Sequence, residues 1–450
     1  TAYCGSSRRR FISELGAGFG TLALAPMLAG VESPSQLHHV PRAKRVIMLF
    51  MFGGPSHVDT YDFKPRLSRD NGRELPRSAL PRVLSFPQQL GGLLGTPWKF
   101  AQRGESGTWV SELLPEVSGV VDELCVVKSV HCTNPRHGGA VLEWHTGSDT
   151  FIRPSVGSWI TYGLGTENEN LPAYITMDQA MSQGGANNFG SAFLPAKFQG
   201  TQLGGQKDAT FPFMDSATVD RTRQLKELDA LRQLSNNSLT SEMDARIASF
   251  ELAFRMQMEA PEALDLSRES QETRNLYGLD EKETEGFGRQ CLLARRFSER
   301  GVRFVQCNSN GWDAHSDLVN NHGSRCKGVD KPIAALLADL KRRGLLDETL
   351  VVWGGEFGRT PVSQNANGRD HNPWGFTMWM AGGGIKGGMS FGQTDEYGFY
   401  AAEDKVHFHD IHATILHLLG LDHDKLTHRH AGRDFRLTDI HGRVVREICS

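Results

Sequence analysis

Short apolar runs alternate with longer segments of helical spacing along most of the chain. Continuous apolar runs that end at glycine or polar residues are typical of strands buried in a parallel sheet, whereas apolar residues three or four positions apart indicate helices. The predicted strands lie at 45–52, 125–130, 172–177, 302–307, 349–353 and 376–381. The predicted helices lie at 111–123, 137–145, 216–257, 287–300, 316–343 and 409–419.

Strands separated by helices predict an α/β fold, with a mostly parallel central sheet and helices on both faces. The four strands that begin at residues 45, 302, 349 and 376 are expected to share this sheet. Their carboxyl-end loops should then meet at one cleft, where open α/β sheets bind ligands. The domain is expected to span 43–450, with an irregular, Pro- and Gly-rich insertion near 60–105 and a helical insertion near 216–285.

Metal-ligating side chains lie in loops that follow three of the predicted strands. Carboxylate and imidazole groups bind divalent ions, and Asp313 and His315, two positions apart, point to the same side of an extended segment. The candidate ligands are His57, Asp59, Asp313, His315, Glu356 and His371. The alternative interpretation is structural, with side chains such as Asp59 capping turns through backbone amides.

The same set of loops contains candidates for catalysis. His137 begins a predicted helix, and the amino end of a helix favours anions. Arg359 closely follows Glu356, and its planar guanidinium can make two charge-assisted bonds to a phosphate or sulfate group. Ser56 and Thr133 each offer a hydroxyl in these loops.

The first 30 residues have the pattern of an export signal. Arg8, Arg9 and Arg10 precede a weakly apolar run, rich in Gly and Ala, from residue 15 to residue 30. This pattern predicts a twin-arginine signal at 1–30 followed by a linker at 31–42, and hence a periplasmic or extracellular protein that uses the twin-arginine export machinery. The alternative is an uncleaved amino-terminal anchor; no membrane span is predicted in the mature chain.

Composition excludes two other classes of protein. The formal net charge of −3 gives no electrostatic footprint for nucleic acid, so no nucleic-acid partner is expected. No two of the seven cysteines form a CxxC motif, so a zinc–cysteine site is not predicted.

Several motifs together resemble the domain of unknown function 1501 family of exported bacterial proteins. They are the leader, residues 44–62, 311–315 and 355–361, and the pair Asp370-His371. The resemblance runs from about residue 44 to the carboxyl terminus. That family is similar to the alkaline phosphatase-like superfamily, which includes sulfatases and cofactor-independent phosphoglycerate mutases.

The resemblance implies an exported metal-dependent hydrolase that acts on phosphate or sulfate esters of a small molecule or glycan. It implies that Asp313, His315 and His371 hold one divalent ion. The resemblance does not distinguish zinc, calcium, manganese and magnesium. The residues implied for a second ion, or for positioning water, are Glu356 and Asp59, with His57 or His137.

The resemblance leaves the nucleophile open. Thr133 is the first candidate and Ser56 the second, because the segment 132–136 has one residue too many before its proline to match the sulfatase motif. Phe357 also stands where the superfamily has a second metal ligand. A competing hypothesis is therefore a non-catalytic exported protein that uses the same fold to bind a glycan or another partner.

Overall fold

The computed structural model describes residues 37–81, 89–204, 226, 229–230 and 241–450. Its strands are β1 (Arg45–Phe52), β2 (Leu90–Leu93), β3 (Phe100–Arg103), β4 (Thr108–Ser111), β5 (Leu124–His131), β6 (Tyr174–Met177), β7 (Thr201–Leu203), β8 (Phe304–Asn310), β9 (Thr349–Gly354), β10 (Gly358–Gln364), β11 (Gly368–Asn372), β12 (Phe376–Ala381), β13 (Met389–Phe391), β14 (Gln393–Thr394), β15 (Ala401–Glu403), β16 (Val406–His407), β17 (His428–His430) and β18 (Arg433–Phe435). Its α-helices are α1 (His57–Thr60), α2 (Pro65–Arg69), α3 (His137–Thr146), α4 (Val156–Leu164), α5 (Ser241–Leu264), α6 (Gln271–Leu276), α7 (Glu285–Glu299), α8 (Leu318–Arg342) and α9 (Phe408–Leu418).

The central sheet has the strand order β13-β5-β12-β9-β1-β8-β6-β7, with β16 beside β5. β1 lies at its centre and pairs in parallel with β8 on one side and β9 on the other. Every pairing in the sheet is parallel except those of β12, which is antiparallel to both β5 and β9. The predicted α/β fold with a mostly parallel sheet is confirmed.

The direction of β12 corrects one prediction. Because β12 runs against β9, its carboxyl end lies at the edge of the sheet opposite to the carboxyl ends of β1, β8 and β9. The reason is the connection: the chain leaves β9 through the β10–β11 hairpin and returns at the same edge, without the crossover that a parallel neighbour needs. Three of the four expected strands therefore end at one edge, and the fourth begins there.

Alternate residues of β1 face two separate hydrophobic cores. Ile47 and Leu49 belong to the core that includes buried residues of α7 and α8, whereas Val46 and Met48 belong to the core that includes α3, α4 and α9. All four side chains are buried, so helices cover both faces of the sheet and remove its apolar surface from water. The edge formed by the strand ends is left for polar chemistry.

Element boundaries differ from the predictions in places. The strand predicted at 45–52 is reproduced, whereas the helix predicted at 111–123 is a 3₁₀ helix at Val117–Glu123. α4 was not predicted. The region near 60–105 contains α2, β2 and β3, and the described part of 216–285 contains α5 and α6.

The predicted signal at 1–30 and the first part of the linker, 31–36, lie outside the described residues. Within the residues that are described, no helix is both long enough and apolar enough to cross a membrane.

Candidate metal centre

The metal-centre candidates come from four different places in the fold. Asp313 and His315 follow β8, and Glu356 follows β9, so two parallel strands deliver them to the same edge of the sheet. His137 is the first residue of α3, which follows β5. His371 lies in β11, directly opposite Arg359 of β10, so the segment 356–371 that was predicted as a loop is largely a β-hairpin.

These elements bring one carboxylate and three imidazoles together. Potential ligand atoms of His137, Asp313, His315 and His371 all lie within 4.8 Å of one another. The Nε2 atom of His315 lies 2.9 Å from Asp313 Oδ1, and that of His371 lies 3.3 Å from the same oxygen. His137 Nε2 lies 3.2 Å from Asp313 Oδ2. Three imidazole Nε2 atoms thus converge on one carboxylate.

The opposite nitrogen of each imidazole is held by an oxygen. His137 Nδ1 lies 2.6 Å from Glu356 Oε1, and His371 Nδ1 lies 2.8 Å from Pro135 O. His315 Nδ1 lies 2.5 Å from the Oε1 atom of Gln364. A carboxylate or carbonyl oxygen accepts a hydrogen bond, so these contacts favour a proton on each Nδ1 and leave the Nε2 atom of a neutral ring available to a metal.

The donor set passes a test for a divalent ion. His137 Nε2 is buried and has no hydrogen-bond partner among the described residues, although Asp313 Oδ2 lies close by. A bound ion would satisfy this buried nitrogen. Three imidazole nitrogens and a carboxylate oxygen form a set that suits zinc and other transition metals better than calcium or magnesium, which prefer oxygen.

Electrostatics bind the cluster together without an ion. Burial raises the pKa of Asp313, but the three histidines and Arg359 outweigh burial and lower it well below its usual range. Burial lowers the pKa of His137, yet the Asp313 and Glu356 carboxylates beside it raise that pKa to about 9. Burial lowers the pKa of His371 to about 3. A proton on His137 therefore occupies the position that a metal would take.

Arg359 is fully buried and lies behind Asp313. Its Nη2 atom donates to Asp313 Oδ1 over 2.6 Å and also to Gly53 O. Its Nε and Nη1 atoms donate to Gly54 O and Arg369 O. These contacts support a role in positioning Asp313, and the predicted contact of Arg359 with a substrate oxyanion stays a prediction.

The structure does not bring the loop after β1 into the cluster. Asp59 is fully buried and paired with Arg369 at 2.8 Å, and Ser56 Oγ donates to Asp59 over 2.5 Å. His57 is also buried, with Nε2 2.7 Å from Gly398 O. Asp59 was predicted to bind a metal ion. Its negative charge is compensated instead by Arg369, which lies in β11 of the hairpin.

The family is decided by a match that covers most of the chain. A family model described as "Protein of unknown function (DUF1501)" matches residues 43–449. The chain belongs to the DUF1501 family. The resemblance inferred from the sequence motifs is thereby confirmed. No curated protein matches this DUF1501 chain.

Solved structures similar to this DUF1501 protein include a lipoteichoic acid synthase, an alkaline phosphatase and a sulfatase. One is the lipoteichoic acid synthase LtaP from Listeria monocytogenes, with a TM-score of 0.36 and 11% identity, covering 91% of this chain and 78% of that one. An alkaline phosphatase from the Antarctic bacterium TAB5 gives 0.34 and 9%, covering 85% and 99%. A sulfatase from Pseudoalteromonas sp. gives 0.35 and 12%, covering 91% and 71%.

Thr133 of this DUF1501 chain is exposed and lies in a small polar cluster of its own. Its hydroxyl donates to Glu143 Oε1 over 2.8 Å and lies 3.3 Å from His407 Nε2. Glu143 is buried and accepts from the Thr133 amide as well. Of the two hydroxyls predicted from the sequence, that of Thr133 is the one that solvent reaches.

Sequence reasoning missed the residues that orient the centre of this DUF1501 protein. Gln364 and the carbonyl of Pro135 hold two of the histidines, and Glu143 holds Thr133. A carbonyl leaves no trace in a sequence, and Gln364 sits in a polar hairpin strand. Glu143 carries a weak signal, since an acid rarely occupies the buried face of a helix without a partner.

Proposed function

We propose that this DUF1501 protein is an exported metal-dependent hydrolase of phosphate or sulfate esters. The supporting observation is the convergence of three oriented imidazoles, those of His137, His315 and His371, on the Asp313 carboxylate. Each imidazole presents Nε2 to the centre because an oxygen holds Nδ1. Such orientation by outer hydrogen bonds is the arrangement that metal-binding histidines use.

We propose that the centre holds one ion rather than two. Asp59, the carboxylate expected to serve a second ion, is paired with Arg369, and both side chains are fully buried. Glu356 accepts hydrogen bonds from the Gly53 amide and lies against His137. Arg359 adds a fixed positive charge beside Asp313, which disfavours a second cation at that position.

Each residue has a separate task in the proposed reaction. A bound divalent ion supplies a Lewis acid, which polarises the ester and neutralises charge in the transition state. Glu356 and Arg359 keep His137 and Asp313 in place. Thr133 is the proposed nucleophile. Glu143, which already accepts its hydrogen bond, takes the hydroxyl proton as the Thr133 oxygen bonds to phosphorus or sulfur, and the bond to the leaving oxygen breaks. The leaving alkoxide takes a proton from solvent water and departs as the alcohol. Water then cleaves the covalent ester and restores Thr133.

Metal content tests whether the centre binds one divalent ion. Purified protein should bind about one zinc ion, and His371→Ala should lower the measured zinc by at least tenfold while thermal unfolding stays cooperative. The control is His441→Ala, at an exposed histidine outside the cluster. A parent protein that binds zinc, with an unchanged amount in His371→Ala, would remove His371 from the centre.

Turnover of a panel of phosphate and sulfate esters by the metal-loaded protein tests whether the centre catalyses hydrolysis. Thr133→Val should lower kcat by at least a hundredfold without lowering zinc content, whereas Glu356→Gln should lower both. Zinc bound by the parent without turnover of any ester above a metal-stripped control would favour the binding-protein alternative. Full activity in Thr133→Val would show that water attacks directly.

A further inference from the structure

A polar cavity of about 500 Å³ opens at the carboxyl end of β8. It lies between the start of α7, the middle of α8 and the residue that follows β6, Asp178. Asn308, Ser309 and Asn310, the last residues of β8, form its floor. The volume falls within the range of small-molecule sites, and the carboxyl edge of the sheet is where this class of fold binds ligands.

The cavity lies next to the metal centre along the chain. Asn310 lines the cavity, and Asp313 lies three residues further on. Three trans peptide units span at most about 11 Å between Cα atoms. The cavity lining and the Asp313 backbone are therefore separated by no more than about the length of a ligand of one or two rings.

The walls of the cavity mix donors and acceptors and balance their charges. Lys282 and Arg325 face Asp178 and Glu283, so the charged lining residues sum to no net charge. Gly286 and Phe287 lie in the first turn of α7, where backbone amides have no acceptor within the helix. These features favour a neutral ligand with many hydrogen-bonding groups over an anion or a flat apolar ring.

Two details indicate that the cavity is built for a ligand. Asn310 lies at the end of β8 and lines the cavity. The wall around it is fixed, since Asn310 Nδ2 donates to Asp178 O over 3.0 Å and Arg325 donates to Asn310 O over 3.1 Å. Asp178 also has a positive φ of 53°, a strained conformation for a residue with a side chain.

We infer that this cavity binds the alcohol portion of the ester substrate and that this portion is a saccharide. The inference rests on the proposed hydrolase function. A sugar offers several hydroxyls, each both donor and acceptor, which match the mixed and charge-balanced wall. Among the described lining residues, the one aromatic side chain, Phe287, is buried, so no exposed ring is available to stack a nucleobase.

The test blocks the cavity from its exposed rim. Ser324 lies on the exposed side of α8 and lines the cavity, so Ser324→Trp should fill it without disturbing a core. Lys341→Trp is the control, because Lys341 is exposed on the same helix about 25 Å away. Thermal unfolding of both variants establishes that each is folded.

The probes are hexose 6-phosphates and 6-sulfates, compared with 4-nitrophenyl phosphate and sulfate. The parent should show at least a tenfold higher kcat/KM for a hexose ester than for the nitrophenyl ester of the same acid. Ser324→Trp should lower that ratio at least tenfold, mainly through KM, and Lys341→Trp should leave it unchanged. An equal effect of Ser324→Trp on both kinds of ester would overturn the inference.

Two further outcomes separate this inference from the proposed function. Turnover of nitrophenyl esters without turnover of any hexose ester would reject the saccharide inference and leave the hydrolase proposal intact. If no ester is hydrolysed, the hydrolase proposal fails, and saturation-transfer NMR with methyl hexosides decides whether a saccharide site exists. Binding that is lost in Ser324→Trp would retain the site, and no binding to the parent would reject it.

Discussion

At the scale of single residues, Gly53 meets two demands of the metal centre at one backbone position. Its amide donates to both oxygens of Glu356, at 2.9 and 3.1 Å, and its φ of +115° is unfavourable for residues with a side chain. A Cβ atom there would come within 2.4 Å of the Asp313 amide nitrogen. Gly53 therefore lets the loop that carries Asp313 lie directly against the end of β1.

Gly53→Ala should weaken zinc binding at least tenfold, because the added methyl group displaces Asp313 and strains the amide that holds Glu356. The matched control is Gly72→Ala, whose φ of +82° is also left-handed but whose Cβ would meet nothing within 4 Å. The control should cost only the left-handed backbone strain, about 1–2 kcal/mol, and keep its zinc affinity. Isothermal titration and thermal unfolding measure both effects; equal zinc affinities in the two variants would refute this account.

Individual residues also show which parts of the site could be predicted from the sequence. The Asp313–His315 spacing and the position of Glu356 after a strand were sufficient to predict that these side chains meet, since strand ends share an edge. Asp59 was predicted from the same rule, but the structure pairs it with Arg369, which lies 310 residues further along the chain. A local pattern identifies an acid at a strand end and carries no information about which distant cation reaches it.

At the scale of elements, the β10–β11 hairpin carries much of the site. It supplies His371, Gln364, which holds His315, and the buried residues Arg359 and Arg369. Its sequence lacks the alternating apolar residues of a half-buried hairpin, so the pattern predicted a loop. The hairpin is buried because its charged side chains find partners in the folded chain, which periodicity does not reveal. The apolar strands β1 and β9 were predicted almost to the residue, because burial on both faces requires continuous apolar runs. β8 begins two residues and ends three residues later than predicted, because its last residues are polar.

Three helices each bury a neutral histidine, so the stability of the fold should decrease in acid. Burial lowers the pKa of His145 on α3 to about 4, and lowers those of His322 on α8 and His412 on α9 to about 3. In the unfolded chain a histidine titrates near pH 6.5. Because the folded pKa values lie lower, the unfolded chain binds more protons than the folded chain below pH 6.5. The free energy of unfolding is therefore highest above pH 6.5 and falls as pH drops toward 4, by about 1.4 kcal/mol per pH unit for each histidine.

Denaturant unfolding between pH 7.5 and 4.5, with a chelator present, measures this slope. His412→Gln should make the slope shallower by the share of one histidine, whereas His441→Gln, at an exposed position, should leave it unchanged. An identical slope in the parent and in His412→Gln would show that His412 is not neutral in the fold.

At the scale of the whole molecule, the sheet separates structure from chemistry. Both faces are apolar and covered by helices, while the edge where β1, β8 and β9 end gathers the metal centre and the polar cavity. Such a centre can be assembled only when strands far apart in sequence are already paired. Export as a folded protein, predicted from the leader, would allow the ion to be bound before the protein leaves the cytoplasm.

Replacing Arg8 and Arg9 by Lys should retain the precursor in the cytoplasm, because the twin-arginine exporter reads the paired guanidinium groups as an address. Arg42→Lys, outside the predicted signal, is the control and should be exported normally. Immunoblots of periplasmic and cytoplasmic fractions give the result. Equal periplasmic amounts of the double variant and the control would reject the twin-arginine interpretation.

The buried guanidinium of Arg359 also bears on which ester charge the proposed hydrolase would prefer. Asp313, Glu356 and Asp370 contribute three negative charges and Arg359 one positive charge, so three neutral imidazoles and a divalent ion leave no net charge. A ligand with a single negative charge therefore leaves one excess negative charge, whereas a dianion leaves two. Sulfate monoesters and phosphodiesters carry one charge at neutral pH, while phosphate monoesters carry nearly two because their second pKa is near 6. Under the proposed hydrolase function, the buried charges of the centre thus favour sulfate monoesters and phosphodiesters over phosphate monoesters.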